Sequence, residues 1–133
     1  MNIFLVRHGK YQTDLQGKPS GLSREGQEEV TFLRKYLDAH HVVFDKAFSS
    51  TKKRALETAE ILCDHFQKSD FLTPNADVDT AFEIIPKEGN ILVVSHLPLL
   101  EKLSERLGEL VSFEPATIAI FSDKGLVKMV TPS

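Results

Sequence analysis

The sequence has little of several features that would assign it to a special class of protein. It contains one cysteine, Cys63, which excludes an internal disulfide and favours a reducing compartment. The apolar run that precedes Arg7 is only four residues long, which is too short for a signal peptide or a membrane span. We therefore expect a cytoplasmic protein that does not enter a membrane.

The sequence also lacks an excess of positive charge and any compact metal-ligand pattern. Its formal net charge is −3, so no general basic field recruits nucleic acid, and any affinity for an anion must be local. The histidines, the cysteine and the carboxylates do not have the spacings of zinc, magnesium or calcium ligands, so no metal or cofactor is predicted. A length of 133 residues, with 41% hydrophobic and 26% charged residues, predicts a single domain, residues 1–133, and a monomer suffices.

Short apolar runs alternate with segments of helical spacing along the chain. Strands are predicted at 2–6, 46–48, 91–95, 117–122 and 126–131; helices at 23–39, 51–67, 77–85 and 98–108; and a loop at 11–21. The second helix should bury Ala55, Ala59, Leu62 and Phe66. This alternation predicts a three-layer α/β fold with a mainly parallel sheet flanked by helices, to which a hairpin at 123–125 adds an antiparallel part.

Two histidines follow two of the predicted strands. Arg7-His8-Gly9 comes directly after the first strand, and His96 comes directly after the strand at 91–95. Ligands of open α/β sheets bind outside the carboxyl ends of the strands, so both imidazoles are expected in one site. The arginine beside His8 predicts that this site holds an anion.

A second arginine, Arg54, lies one turn into the helix that follows Ser49-Ser50. Two guanidinium groups can hold the non-bridging oxygens of a phosphoryl group through bidentate hydrogen bonds. A neutral His8 could then attack phosphorus, while a protonated His96 donates to the same oxygens. We expect the two arginines to lower the pKa of His8, and a backbone carbonyl to accept a hydrogen bond from its other ring nitrogen.

Five motifs follow one another along the chain. They are Leu5-Val6-Arg7-His8-Gly9, Leu22-Ser23-Arg24-Glu25-Gly26, the segment from Phe48 to Ala59 that contains Arg54, Leu72-Thr73-Pro74-Asn75-Ala76-Asp77, and Leu92-Val93-Val94-Ser95-His96-Leu97-Pro98. Taken in this order, they resemble the motifs of the histidine phosphatase superfamily, also called phosphoglycerate-mutase-like. Within that superfamily the chain is most similar to the small SixA-type phosphohistidine phosphatases.

The resemblance implies a role for individual residues. His8 would be the nucleophile that accepts the phosphoryl group, Arg7 and Arg54 the phosphate clamp, and His96 the second imidazole of the pocket. Ser50 stands where the family has a serine before the clamp helix, as a substrate-binding or capping residue. Asp77 is first of all expected to cap a helix and, second, to lie near the pocket.

Two departures from the family pattern bear on the reaction. A glutamate commonly precedes the Leu-x-Pro motif as general acid, but here Phe71 occupies that position and Asp70 is the nearest acid. After Gly9, where the family frequently has an acidic residue, this chain has Lys10. The long insertions that form a lid in mutases are also missing. Transfer from an imidazole to His8 exchanges like leaving groups and has less need of an acid. The resemblance therefore implies a metal-independent phosphatase acting on protein phosphohistidine; the alternatives are a phosphatase for a small phosphomonoester and a phosphate-binding module without turnover.

Overall fold

The computed structural model describes residues 1–132. In chain order, the strands are β1 (Asn2–Arg7), β2 (Tyr11–Thr13), β3 (Pro19–Leu22), β4 (Lys46–Ser50), β5 (Gln67–Ser69), β6 (Asn90–Ser95), β7 (Ile118–Ser122) and β8 (Gly125–Val130). The α-helices are α1 (Arg24–Ala39), α2 (Lys53–Leu62), α3 (Val78–Ile84) and α4 (Leu99–Arg106), and a 3₁₀ turn covers Asp70–Leu72.

The main sheet of the described residues has the strand order β5-β4-β6-β1-β7-β8. β1 and β4 both pair in parallel with β6, and β5 pairs in parallel with β4. β7 runs antiparallel to β1 and to β8, as the hairpin signal at 123–125 predicts. The carboxyl ends of three adjacent strands, β4, β6 and β1, therefore meet at one edge of the sheet.

Side chains of the strands alternate between two hydrophobic layers, as the geometry of a strand requires. In β1, Ile3 and Leu5 pack with residues of α3 and α4, whereas Phe4 and Val6 pack with residues of α1 and α2. The same alternation holds in β6, where Ile91 belongs to the first cluster and Leu92 to the second. The expected three-layer, mainly parallel α/β architecture is confirmed.

Two of the predicted secondary-structure segments are wrong in part. The segment 11–21 was expected to be a loop, but it contains the antiparallel pair β2 and β3. The helix expected over 51–67 ends at Leu62, and the chain then forms β5, so Phe66 packs against the core from outside the helix. Of the three missed strands, β2 and β5 are largely exposed and β3 buries only its last two residues, so none carries the alternating apolar signal from which a strand could be predicted.

The helix starts follow the expected capping chemistry. The hydroxyl of Ser23 accepts a hydrogen bond from Gly26 N–H at the start of α1, and the carboxylate of Asp77 accepts one from Thr80 N–H at the start of α3, each at 3.0 Å. Pro98 occupies the N-cap of α4 rather than its first turn. Among the helices of residues 1–132, none is both long and apolar enough to cross a membrane.

Candidate active site

The backbone of His8 is fixed between two strands at the edge of the sheet where β1 ends. Its N–H donates to the carbonyl of Ser95 at the end of β6, at 3.2 Å, and its carbonyl accepts from Ala116 N–H at 3.1 Å. The residue is 5% exposed. The main chain of His8 is therefore held on both sides, and its side chain lies at the point where the sheet meets the pocket.

The ring of His8 has a defined protonation pattern. Nδ1 lies 2.8 Å from the carbonyl oxygen of Gly9, and a carbonyl can only accept, so Nδ1 carries the proton and Nε2 keeps its lone pair. This confirms the expected bond to a backbone carbonyl. Burial lowers the pKa of His8 to about 4, with smaller contributions in the same direction from Arg54 and Arg7. The predicted lowering by the two arginines is confirmed, and desolvation is the larger cause.

Thr58 of α2 ties the nucleophile's turn to the helix that carries Arg54. Its hydroxyl oxygen accepts a hydrogen bond from Gly9 N–H at 3.1 Å and donates to the carbonyl of Arg54 at 2.8 Å. Gly9 is needed here because an added Cβ would lie 2.8 Å from Cγ2 of Val30. The sequence analysis missed this role of Thr58; the available signal was a hydroxyl on the apolar face of the helix, beside Ala59.

The two arginines are oriented by different partners. Arg7 donates from Nη1 to the carbonyl of Phe113 at 2.8 Å, and the guanidinium carbon of Arg54 lies 5.1 Å from the ring centroid of Tyr11. In both side chains Nε is buried and makes no hydrogen bond within residues 1–132. Buried guanidinium N–H groups are strong donors that need an acceptor, and a phosphoryl oxygen would supply one.

His96 lies beside His8, with 4.9 Å between the ring centroids. Its Nε2 is 2.7 Å from the hydroxyl of Ser50, which also accepts from Lys52 N–H at 3.2 Å. The Ser50 hydroxyl can thus donate to Nε2 and leave the imidazole proton on Nδ1, a buried atom with no hydrogen bond to any residue from 1 to 132. Ser50 contacts His96 directly. Its expected effect on substrate binding would therefore be exerted through His96.

The second imidazole is neutral in the folded protein. Burial, followed by the neighbouring His8 and Arg54, lowers the pKa of His96 to about 3. The expectation of a protonated His96 is therefore wrong. Burial and the neighbouring cations make the charged form of the ring less stable than the neutral form. A neutral ring can still donate one hydrogen bond from Nδ1.

The acids that the sequence offered as weak candidates are engaged elsewhere. Asp70 accepts from the hydroxyl of Thr51 at 2.9 Å, and Asp77 caps α3. Within the described part of the chain, no carboxylate makes a hydrogen bond with His8 or His96. No cluster of three or more His, Cys, Asp or Glu residues between 1 and 132 could hold a metal ion. The two guanidinium groups are therefore the charged groups of this site that remain as candidates for binding a phosphoryl group.

Lys10 is part of an ion pair at the rim of the site. Its ammonium lies 2.6 Å from Glu25 and 3.8 Å from Glu29, both at the start of α1. Its carbonyl accepts from Ser23 N–H at 2.9 Å, and an added Cβ on Gly26 would lie only 2.1 Å from that carbonyl oxygen. The loop after the nucleophile is thus packed tightly against the helix, which explains the glycine at position 26.

Comparison with known proteins identifies the family of this chain. The model of the "Histidine phosphatase superfamily (branch 1)" matches residues 3–77, which include Arg7, His8, Ser50 and Arg54. The mitochondrial serine/threonine-protein phosphatase Pgam5 of Caenorhabditis briggsae is 41% identical over 64 residues, 48% of this chain and 22% of that protein. The match therefore spans about a fifth of the length of this curated relative.

Solved structures match over almost the whole chain. The protein histidine phosphatase SixA complexed with tungstate superposes with a TM-score of 0.86 at 24% identity, covering 99% of this chain and 97% of that one. The putative phosphohistidine phosphatase SixA from Agrobacterium tumefaciens gives a TM-score of 0.85 at 21% identity and covers 98% of both chains. These likenesses show the fold, and the phosphoglycerate-mutase-like architecture implied by the sequence motifs is confirmed.

Proposed function

This chain belongs to the histidine phosphatase superfamily, and from that premise we propose that it is a metal-independent phosphatase that removes phosphoryl groups from protein phosphohistidine. One observation carries the proposal. His8 presents an unprotonated Nε2 because Nδ1 is bonded to a backbone carbonyl, and it does so beside two guanidinium groups whose buried Nε–H bonds have no acceptor among residues 1–132. This arrangement combines a nucleophile with a phosphate clamp.

The first chemical step transfers the phosphoryl group to His8. The Nε2 lone pair forms a bond to phosphorus, the bond from phosphorus to the substrate nitrogen breaks, and the leaving imidazole keeps that electron pair and takes a proton from solvent. Arg7 and Arg54 hold the phosphoryl oxygens, and Nδ1–H of His96 donates to them as charge shifts. The neutral state of both imidazoles suits this step, since one must attack and the other must only donate a hydrogen bond.

The second step regenerates the enzyme. A water molecule attacks phosphorus, the bond between phosphorus and Nε2 of His8 breaks, and its electron pair returns to the ring. The proton lost by water passes to solvent, and phosphate leaves. Because every side chain of the site comes from one chain, a monomer is sufficient for both steps.

The choice of phosphohistidine rests on the acids. An alkoxide is a poor leaving group, and a positioned acid that protonates it contributes about 10²- to 10⁴-fold. Asp70 and Asp77, the acids nearest in sequence to the usual position, are bonded to Thr51 and to the start of α3. Glu25, which lines the same pocket as the nucleophile, is paired with the ammonium of Lys10 at 2.6 Å, which favours its ionised form over a proton donor. An imidazole leaves without such help, so this site favours a phosphorus–nitrogen bond over a phosphomonoester. The proposed partner is therefore a phosphorylated protein.

The test is phosphate release from a carrier protein phosphorylated on histidine, run beside a panel of phosphomonoesters. We expect fast release from the carrier, weak turnover of the monoesters, and a trapped phosphoryl group on His8 that is stable in base and labile in acid. His8→Ala should abolish turnover and retain some phosphate binding. His65→Ala, which removes an exposed imidazole from outside the site, is the matched control.

Two results would count against the proposal in different ways. Efficient, His8-dependent turnover of one monoester would make the protein a phosphatase for a small metabolite. Tight phosphate binding with neither turnover nor a trapped intermediate would make it a phosphate-binding module. Turnover retained in His8→Ala would overturn the mechanism itself.

A further inference from the structure

A cavity of about 420 Å³ extends from His8 away from the second imidazole. Its lining includes Arg7, His8, Lys10, Tyr11, Glu25 and Pro115. Arg54 and His96 are not part of that lining, although both stand close to His8. Pockets for small ligands measure about 300–1,000 Å³, so this cavity has room for more than a phosphoryl group. It adjoins the nucleophile on the side where the rest of the substrate can extend.

Tyr11 lines this cavity and lies beside both His8 and Arg54. Its ring centroid lies 5.6 Å from that of His8 at an interplanar angle of 64°, and 5.1 Å from the guanidinium carbon of Arg54. The residue is nevertheless 42% exposed, which is high for a large aromatic side chain in contact with a buried nucleophile. Part of the ring is therefore available to a ligand beside His8.

The position of Tyr11 is fixed by a hydrogen-bonded chain that leads back to the clamp helix. Tyr11 pairs with Leu22 across the β2–β3 hairpin. The N–H of Leu22 donates to the carboxylate of Glu57 on α2 at 2.7 Å. Because Arg54 lies on the same helix, the backbone of the hairpin is tied to the helix that carries the guanidinium group.

Two of the charges in the cavity wall are paired. Lys10 and Glu25 both line it and lie 2.6 Å apart, so together they add no net charge. Arg7, the other charged residue of the lining, is assigned to the phosphoryl group, so no further cation of the wall is left for a second phosphate. The carboxylate of Glu25 can, however, accept a hydrogen bond from a ring N–H.

We propose that this cavity is the leaving-group subsite and that Tyr11 is its specificity-determining residue, selecting a planar ring such as the imidazole of phosphohistidine. The proposal rests on the proposed function for the identity of the ring. Tyr11 supplies an aromatic surface against which the ring packs, and the Lys10–Glu25 pair supplies its polar edge. Preference for a ring is thus separate from recognition of the phosphoryl group, which the arginines perform.

The test compares two small substrates that share a phosphorus–nitrogen bond. N-phosphoimidazole carries a ring on that nitrogen and phosphoramidate does not. We expect Tyr11→Leu to lower kcat/KM for N-phosphoimidazole about threefold to tenfold more than for phosphoramidate, mainly through KM, which is the size of an aromatic pair contribution. Tyr11→Phe should keep the wild-type ratio, since it keeps the ring.

The controls distinguish specificity from general damage. Tyr36→Leu removes a tyrosine that stacks on His40 and lies 5.3 Å from the ammonium of Lys128, outside the site, and it should leave the ratio unchanged. If Tyr11→Leu disturbs the hairpin, Tyr11→Met offers an unbranched side chain for the same comparison. An unchanged ratio in the folded Leu or Met variant, or a ratio lost equally in Tyr11→Phe, would overturn the role of Tyr11.

The failure of the proposed function would give a different result. In that case the wild-type protein would turn over neither N-phosphoryl compound, and phenyl phosphate and ethyl phosphate would replace them as the pair with and without a ring. A loss of preference for phenyl phosphate in Tyr11→Leu would then still support the subsite. An equal effect on both esters would overturn it.

Discussion

The pKa of His8 makes a quantitative prediction about activity in acid. A nucleophile with the ordinary histidine pKa of about 6.5 would be only about 3% neutral at pH 5, whereas one with a pKa of about 4 is about 90% neutral. The two cases differ by about 30-fold in the fraction of enzyme able to attack. We therefore expect kcat/KM at pH 5 to stay close to its value at neutral pH and to fall only as the pH approaches 4.

The assay is kcat/KM against pH, because this parameter reports the ionisation of the free enzyme. The assay uses two substrates with a phosphorus–nitrogen bond, the phosphorylated carrier and phosphoramidate. A fall in rate at low pH that is the same for both substrates comes from ionisation of the enzyme, and one that differs comes from ionisation of the substrate. The His8→Ala variant measures uncatalysed hydrolysis, which rises in acid and must be subtracted. An NMR titration of the His8 ring, assigned with the same variant, gives the pKa directly.

A half-maximal rate near pH 6.5 on both substrates would refute the reasoning. It would mean that burial of the ring does not control its charge, or that the titrating base is another group. A rate that keeps rising well below pH 4 would refute the identity of the nucleophile, since a protonated Nε2 has no lone pair to attack with.

Three further changes have expected outcomes. Thr58→Val removes the acceptor of Gly9 N–H and should lower both kcat and the free energy of unfolding, the latter by about 1–3 kcal/mol in denaturant titrations. Thr31→Val on an exposed face of α1 is the control. Equal effects of the two substitutions would contradict the proposed role of Thr58 in holding Gly9. Arg54→Lys should lower kcat/KM by about 10- to 100-fold through the loss of a charge-assisted, forked contact, whereas Arg34→Lys, which alters an arginine paired with Asp38, should not. Because the pKa values of both buried imidazoles lie below those of the unfolded chain, the unfolded state binds more protons between about pH 6.5 and pH 4, and the free energy of unfolding should fall as the pH is lowered through that window. His8→Gln should lose less stability between pH 7 and pH 4.5 than the wild type; an equal loss would show that other groups drive acid unfolding.

The parts of the fold that the sequence predicts correctly are those with one buried face or two. The runs at 3–6 and 91–94 are apolar throughout because they lie in the centre of the sheet, with helices on both sides. β5 was missed because an edge strand needs no apolar side chains, and its formation depends on a partner distant in sequence, Phe48 opposite Gln67. The β2–β3 hairpin was missed because its strands are short and contain few apolar residues.

The candidate site shows the same division. The sequence predicts that His8, His96 and Arg54 lie close together, because strand ends and helix starts have predictable places in a parallel sheet. Tyr11 and Thr58 could not, since their roles consist of contacts with residues on other elements. The neutral state of His96 was also beyond prediction, because desolvation depends on how completely the surrounding elements close over the ring.

The two kinds of support around His8 differ in how much change they can absorb. The main chain of His8 is bonded to the last residue of β6 and to a residue just before β7, so almost any shift there would disturb the core. Tyr11 belongs to a hairpin whose tip at Leu15 is fully open to solvent, a place where insertions and exchanges of residues cost little stability. New substrate preferences could thus arise through changes in the hairpin, provided that the residue at position 11 still supports Arg54 and that the hydrogen bond between the hairpin and α2 is kept.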